Sequence, residues 1–129
     1  MKIKRKMEFE TLPEYDKDLK KLLKKYRTLT SDIEDVKKVL SIRPDAQPPF
    51  SYRIDGLGIE NCVIKVKKIA SDSFKGRGVN SGFRLIYAYF QEPAKIILIE
   101  LYHKNDKENE DKERILLNFK LKIIPQNRK

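Results

Sequence analysis

Two stretches decide the fold, CVIKVKK at 62–68 and GFRLIYAYF at 82–90. In the first, apolar and cationic residues alternate, which predicts a strand with its apolar side chains on one face and Lys65 and Lys67 on the other. The second stretch is an aromatic and aliphatic run that predicts a central strand. Arg84 lies inside this run, and an arginine at such a position needs either a carboxylate partner or an anion to bind.

The connection between these strands, residues 69–81, is basic and is punctuated by Gly76 and Gly78. It is longer than a hairpin needs, so we expect a flexible loop that either moves over a ligand or has no fixed structure. The loop and the adjoining strands together carry a charge of about +5. The residues responsible are Lys65, Lys67, Lys68, Lys75, Arg77 and Arg84, against Asp72.

The whole chain is small and strongly basic. Its 129 residues suit a single domain, 1–129, with one core. The net charge of +10 implies a polyanionic partner, with nucleic acid the first candidate and a merely soluble charged surface the alternative. Cys62 is the only cysteine, and no apolar stretch has the length of a signal peptide or a membrane span. We therefore expect a cytoplasmic protein without a membrane partner.

Two capping boxes, at 11–14 and 31–34, predict the helices of the N-terminal half. The first helix carries a lysine-rich face, which is more typical of a solvated surface than of phosphate contact. The second helix ends at Pro44, and its predicted inward residues are Ile33, Val36, Val39 and Leu40. Because only four or five residues join the two helices, they are expected to form an antiparallel pair.

Strands are predicted within 2–10 and at roughly 62–69, 82–90 and 95–103. Prolines and glycines between residues 44 and 61 argue against regular structure there. A last helix is predicted to start at 105–108, and 121–124 is ambiguous between a helix end and a strand. The expected fold class is α+β, a mainly antiparallel sheet of about four strands with an N-terminal antiparallel helix pair and a C-terminal helix.

The chain lacks the sequence signals of several kinds of active site. One histidine and one cysteine cannot build a usual zinc site, there is no phosphate-binding glycine loop, and His103 has no convincing serine partner. We therefore predict neither a metal nor a cofactor. The remaining chemistry is that of a cationic ribonuclease, in which a base accepts the 2′-hydroxyl proton, cations stabilise the pentacoordinate phosphate and a donor protonates the leaving oxygen. A desolvated lysine among other cations can serve as the base. The candidates are Lys65, Lys67 and Arg84 on adjacent strands, and Tyr102, His103 and Lys104 at the end of the third.

Three segments together resemble the RelE/ParE toxin superfamily, and its RelE branch most closely. They are VIKVK at 63–67, GFRLIY at 82–87, and an aliphatic strand that ends in YHKNDK at 102–107. The similarity covers most of the chain. It implies a small toxin of a type II toxin–antitoxin pair, an endoribonuclease that cleaves mRNA in the ribosomal A site without a metal. The implied partners are the ribosome and its mRNA, a small acidic antitoxin, and operator DNA through the antitoxin complex.

The resemblance also implies roles for individual residues. Lys65 and Lys67 match two strand lysines implicated in binding and proton transfer, and Arg84 matches an arginine that stabilises the phosphate. A C-terminal tyrosine of some members has no clear match, and Tyr102 or His103 is the candidate for its role. We therefore expect the following catalytic residues: Lys65, Lys67, Arg84 and His103. The expected RNA-binding residues are Lys68, Lys75, Arg77, Tyr102 and Lys104.

Two other functions stay open at this point. One is a ParE-like poison of DNA gyrase without nuclease activity, and the other is a non-catalytic basic module that binds nucleic acid through phosphates. The individual cations also have structural alternatives. Lys65 and Lys67 can belong to a solvated sheet face, and Arg84 can form an ion pair with Glu100 on the neighbouring strand.

Overall fold

Five strands in one sheet and three helices make up the part of the chain that the computed structural model describes, residues 6–119. This is an α+β fold. Predictions for residues 2–5 and 121–124 lie outside the described residues. The elements in chain order are β1 (Glu8–Thr11), α1 (Pro13–Leu23), α2 (Leu29–Ile42), β2 (Ser51–Arg53), β3 (Cys62–Val66), β4 (Phe83–Phe90), β5 (Lys95–His103) and α3 (Lys112–Asn118).

The sheet is mixed and has the order β1-β5-β4-β3-β2. Strands β2 to β5 pair antiparallel, whereas β1 lies parallel to β5. The expectation of about four strands was therefore one short among the described residues. The additional strand is β2, within the connection expected to be irregular. Its three residues are too few to show a period, and Pro48 and Pro49 immediately precede it.

The helix boundaries differ from the predicted capping boxes. Leu12 occupies the N-cap position of helix α1 without a capping hydrogen bond from its side chain, because Thr11 belongs to β1. Helix α2 starts at Leu29, before the predicted box, and its Val39 is 43% exposed and so does not face inward as expected. Helix α3 starts only at Lys112, after a turn segment over residues 104–111 that the sequence suggested would already be helical. Asp111 caps α3 by accepting a hydrogen bond from the Arg114 N–H at 3.0 Å.

Both faces of the sheet are covered, by different parts of the chain. On one face, the chain around α1 and α2 supplies Tyr26, which packs edge-on against Phe83 of β4 at 5.0 Å between ring centroids. On the other face, Phe119 after α3 lies 6.4 Å from Phe90. Val63 is consequently buried although it shares its face with Lys65.

None of the helices within residues 6–119 is both long enough and apolar enough to span a bilayer.

Candidate functional site: a cationic groove

Four cationic side chains line one groove next to the C-terminal end of β3 and the N-terminal end of β4. The groove has a volume of about 330 Å³. We call it the cationic groove, and its lining residues are Pro49, Tyr52, Lys67, Lys68, Asn80, Gly82, Arg84 and Lys104. None of these described lining residues is acidic. An anion in the groove would therefore meet positive charge from several sides at once.

Arg84 extends into the groove from the N-terminal end of β4. Its Nη1 donates to the carbonyl oxygen of Lys67 at 3.2 Å and to that of Phe83 at 3.4 Å. Both contacts use the same nitrogen, and neither neutralises the charge. Glu100, the expected structural partner, instead pairs with Lys107 and accepts the Asp111 N–H at 2.8 Å. The guanidinium therefore keeps donors for an anion, and bidentate binding of a phosphate is the geometry it suits.

The three lysines of the groove come from two parts of the chain, the adjacent Lys67 and Lys68 and the distant Lys104. Lys67 follows β3 directly and holds its ammonium 5.4 Å from the centre of the Tyr52 ring. Lys68 donates to the side-chain oxygen of Asn80 at 3.0 Å. Lys104 follows β5, and its N–H donates to the Gly82 carbonyl at 2.9 Å.

No carboxylate among residues 6–119 forms an ion pair with any of the four cations. The fold brings Lys67, Lys68, Arg84 and Lys104 together and leaves their charge uncompensated within the described part of the chain. Like charges in proximity repel, and a polyanion would relieve that repulsion.

Lys65 lies two residues before Lys67 but is not part of the groove. Its ammonium forms an ion pair with Glu110 at 2.8 Å, and the two side chains are only 16% and 9% exposed. Burial acts to raise the pKa of Glu110, but the Lys65 ammonium, the backbone N–H of Glu110 and the charge of Lys112 together outweigh burial, and the pKa lies below its ordinary value. The fold thus supplies Lys65 with a counterion.

His103 lies on the opposite face of the sheet from Arg84. In register, His103 faces Phe83 while Tyr102 faces Arg84, and successive residues of a strand alternate between faces. His103 is 2% exposed, and its imidazole packs against the rings of Tyr26 and Phe74, at 5.9 and 5.2 Å between centroids. The structure therefore does not bring His103 to the groove.

Both ring nitrogens of His103 are already engaged. Nδ1 accepts the Asn105 N–H at 3.1 Å, so Nε2 carries the proton and donates to the Ser81 carbonyl at 2.9 Å. A neutral imidazole satisfies both contacts. His103 thus fastens the end of loop 69–81 to the segment after β5, which is a structural task.

Tyr102 shares the sheet face of Arg84 but is covered. Tyr102 is 5% exposed, and the ammonium of Lys107 lies 5.1 Å from the centre of its ring. The Tyr102 hydroxyl has no hydrogen-bond partner among the described residues. Burial raises the pKa of Tyr102, and the charges of Glu110 and Glu100 raise it further. Tyr102 borders a neighbouring cavity and does not line the cationic groove.

Lys75 and Arg77 are exposed on loop 69–81 and do not line the groove. The loop that presents them was expected to be flexible, but the structure fixes it at several points. Ser71 donates to the buried carboxylate of Asp32 at 2.5 Å, and Ser81 donates to the Ile69 carbonyl at 2.5 Å. Phe74 also packs among the rings around His103. Among the described lining residues of the groove, loop 69–81 contributes Asn80.

Sequence reasoning assigned no binding or catalytic role to four of the lining residues, Pro49, Tyr52, Asn80 and Gly82. Tyr52 was overlooked because β2 was not predicted. Gly82 adopts φ +98°, and a Cβ there would come within 2.6 Å of the His103 Nε2. A glycine directly before a strand of bulky residues indicates that another group approaches the backbone closely there, and in this fold that group is the His103 ring.

No group of three or more histidine, cysteine, aspartate or glutamate side chains within residues 6–119 is arranged to hold a metal ion. Comparison of the chain with protein-family models, with curated proteins and with solved structures found no match. The resemblance to RelE/ParE toxins therefore rests on the residues of this chain alone, and the function it implies is a proposal.

Proposed function

We propose that this chain is the toxin of a type II toxin–antitoxin pair, with a RelE-like fold and a metal-free endoribonuclease activity on mRNA at the ribosome. The observation that carries the proposal is the cationic groove: four cations converge, and none has a carboxylate partner within residues 6–119. A groove of this kind suits a phosphodiester, because phosphate oxygens accept charge-assisted hydrogen bonds from arginine and lysine.

In this proposal Arg84 and Lys67 hold the scissile phosphate, and Lys68 and Lys104 contact neighbouring phosphates. The 2′-hydroxyl gives its proton to water and its oxygen attacks the adjacent phosphorus, while the 5′-oxygen leaves and takes a proton from water. The products carry a 2′,3′-cyclic phosphate and a 5′-hydroxyl. The cations stabilise the additional negative charge of the pentacoordinate phosphate. The proposal gives Lys65 no contact with the phosphate, because its ammonium is paired with Glu110.

The partners follow from the same charge. A small acidic antitoxin would neutralise a chain of net charge +10 and cover the groove. The resemblance adds the ribosome with its mRNA, and operator DNA bound through the antitoxin complex.

A non-catalytic module that binds nucleic acid is the second candidate, and one observation favours it. The residues that line the groove include no histidine or carboxylate to transfer protons, because His103 is buried on the other face. Such a module would bind RNA with a steep salt dependence and would cleave nothing.

The test is brief induction of the protein in growing cells, followed by mapping of RNA ends. The nuclease proposal predicts growth arrest with new 5′-hydroxyl ends inside translated codons. Arg84→Gln should abolish both effects. Arg27→Gln is the matched control. Arg27 is exposed in the connection between α1 and α2, so this substitution removes the same charge at a position outside the groove.

Each other outcome identifies a different function. Arrest with intact mRNA overturns the nuclease, and arrest with a DNA-damage response indicates a gyrase poison. Salt-sensitive RNA binding by the purified protein, without cleavage in the presence of translating ribosomes, indicates the non-catalytic module.

A further inference from the structure

Tyr52 is an exposed aromatic residue on the rim of the cationic groove. It lies in the middle of edge strand β2 and faces Lys65 in the register with β3, so it shares the sheet face of the cations. Its side chain is 41% exposed. The ring lines the cationic groove and also an adjoining cavity of about 290 Å³ that extends along β2.

The ring is also next to one of the four groove cations. The ammonium of Lys67 lies 5.4 Å from the ring centre, and Lys67 lines both the groove and the adjoining cavity. Proteins that bind single-stranded nucleic acid combine these two elements, cations along the backbone and aromatic rings on which bases stack. A base and its own phosphate are separated by one sugar, so the two subsites must be neighbours, as Tyr52 and Lys67 are.

We propose that Tyr52 stacks on an unpaired base next to the phosphate that Lys67 and Arg84 bind. The groove then selects single-stranded RNA over duplex RNA and over other polyanions. In a duplex both faces of a base are covered by its neighbours, and exposing one requires unstacking. This inference rests on the proposed function and specifies the form of the substrate.

The Tyr52 ring can stack on a base without a rearrangement of β2. The backbone of Tyr52 is fixed by its pairing with Lys65. The Nη2 of the adjacent Arg53 donates a hydrogen bond to the Asp45 carboxylate at 2.7 Å. A stacking platform is effective when it is already ordered before binding, because little side-chain entropy is then lost.

The experiment measures fluorescence anisotropy of a short labelled RNA whose 2′-hydroxyls are methylated, so that binding is read without cleavage. Tyr52→Ala should weaken binding of the single strand by about five- to 100-fold. Tyr52→Phe should stay within about twofold of the wild type, because stacking uses the ring and not the hydroxyl. Tyr52→Leu keeps apolar bulk on β2 without a π face, and it should behave like Tyr52→Ala even if the alanine variant folds poorly.

Two further arms separate stacking from electrostatics. Tyr52→Ala should leave the slope of affinity against salt concentration unchanged, because a neutral ring releases no counterions, whereas Lys67→Gln should reduce it. A duplex of the same sequence, and a single strand with abasic sites, should bind the wild type and Tyr52→Ala equally.

Equal affinity of Tyr52→Leu and the wild type for the single strand overturns the inference, as does an equal loss for single strand and duplex. In both cases the proposed function stands if Arg84→Gln still abolishes binding. A wild-type protein that binds no RNA at low salt overturns the inference, and the proposed function is then decided by the mapping of RNA ends in cells.

Discussion

Lys65 and Lys67 are identical side chains two residues apart on one sheet face, and the fold treats them in opposite ways. Lys65 lies under the segment that precedes α3 and is paired with Glu110 at 2.8 Å. Lys67 lies at the open end, beside Tyr52 and Arg84, without a carboxylate partner within residues 6–119. The difference shows that alternation along a strand places charges on a face but does not reveal which of them the protein itself compensates.

The same distinction applies to β5. Tyr102 and His103 are adjacent in sequence, yet one lies on the sheet face of Arg84 and the other is stacked among aromatic rings on the opposite face. The candidate site is accordingly a set of cations around Arg84 without carboxylate partners within residues 6–119. His103 lies on the opposite face of the sheet, where it bonds to the backbone of Ser81 and Asn105.

The largest expected effect separates the two lysines by stability. Lys65→Met leaves the Glu110 carboxylate, 9% exposed, without its counterion, and should lower the free energy of unfolding by about 3 kcal/mol. Lys67→Met should change it by less than about 0.5 kcal/mol, because the side chain is exposed. Urea denaturation measures both. Adding Glu110→Gln to Lys65→Met should restore most of the loss, and similar costs for the two single variants would contradict the pairing.

The next effect concerns His103. His103→Phe keeps the ring stack but leaves the Ser81 carbonyl and the Asn105 N–H without their partners, at a cost of about 2 kcal/mol. RNA binding below the unfolding temperature should survive, because the four cations remain. Thermal denaturation and anisotropy on the same samples provide the check. A fully stable His103→Phe protein that has lost RNA cleavage would instead assign the histidine a catalytic contact.

A smaller effect distinguishes the lysines by binding. Lys67→Gln should weaken binding of single-stranded RNA by about fivefold and reduce the slope of log affinity against log salt by about 0.7. Lys65→Gln should leave that slope unchanged, because its charge is already compensated by Glu110. Titrations at several salt concentrations give both slopes. A lower slope for Lys65→Gln would place Lys65 on the phosphate path.

The smallest effect is the pH dependence of the Lys65–Glu110 pair. The pKa of Glu110 is lowered in the folded protein, so its stabilising contribution is complete above the ordinary value of 4.5 and is lost as the pH falls through the folded pKa. In Lys65→Met burial raises the pKa of Glu110. The difference in unfolding free energy between the wild type and Lys65→Met should therefore begin to narrow above pH 4.5 and continue to narrow below it. Denaturation midpoints from pH 7 to pH 3 test this, and a constant difference would show that the pair does not titrate as a unit.

Much of the fold was predictable from local sequence. Alternation and β-branched or aromatic runs located β3, β4 and β5, because a strand needs only a period of two and a buried face. The bounds of α2 and α3 were less accessible, since capping boxes compete with other uses of the same side chains. Asp32 of the second box, for example, binds the Ser71 and Thr28 hydroxyls. Strand β2 was missed because three residues carry no pattern of their own.

By itself the sequence determined that cations would gather at the ends of neighbouring strands, since Lys67 and Arg84 are placed by strand periodicity alone. Only the tertiary structure decided that Glu110 would neutralise Lys65, that His103 would turn into the aromatic cluster, and that Tyr52 would border the groove. The physical reason is that each of these contacts joins segments remote in sequence. Ion pairing and stacking act through space, and no local pattern encodes the packing that brings those segments together.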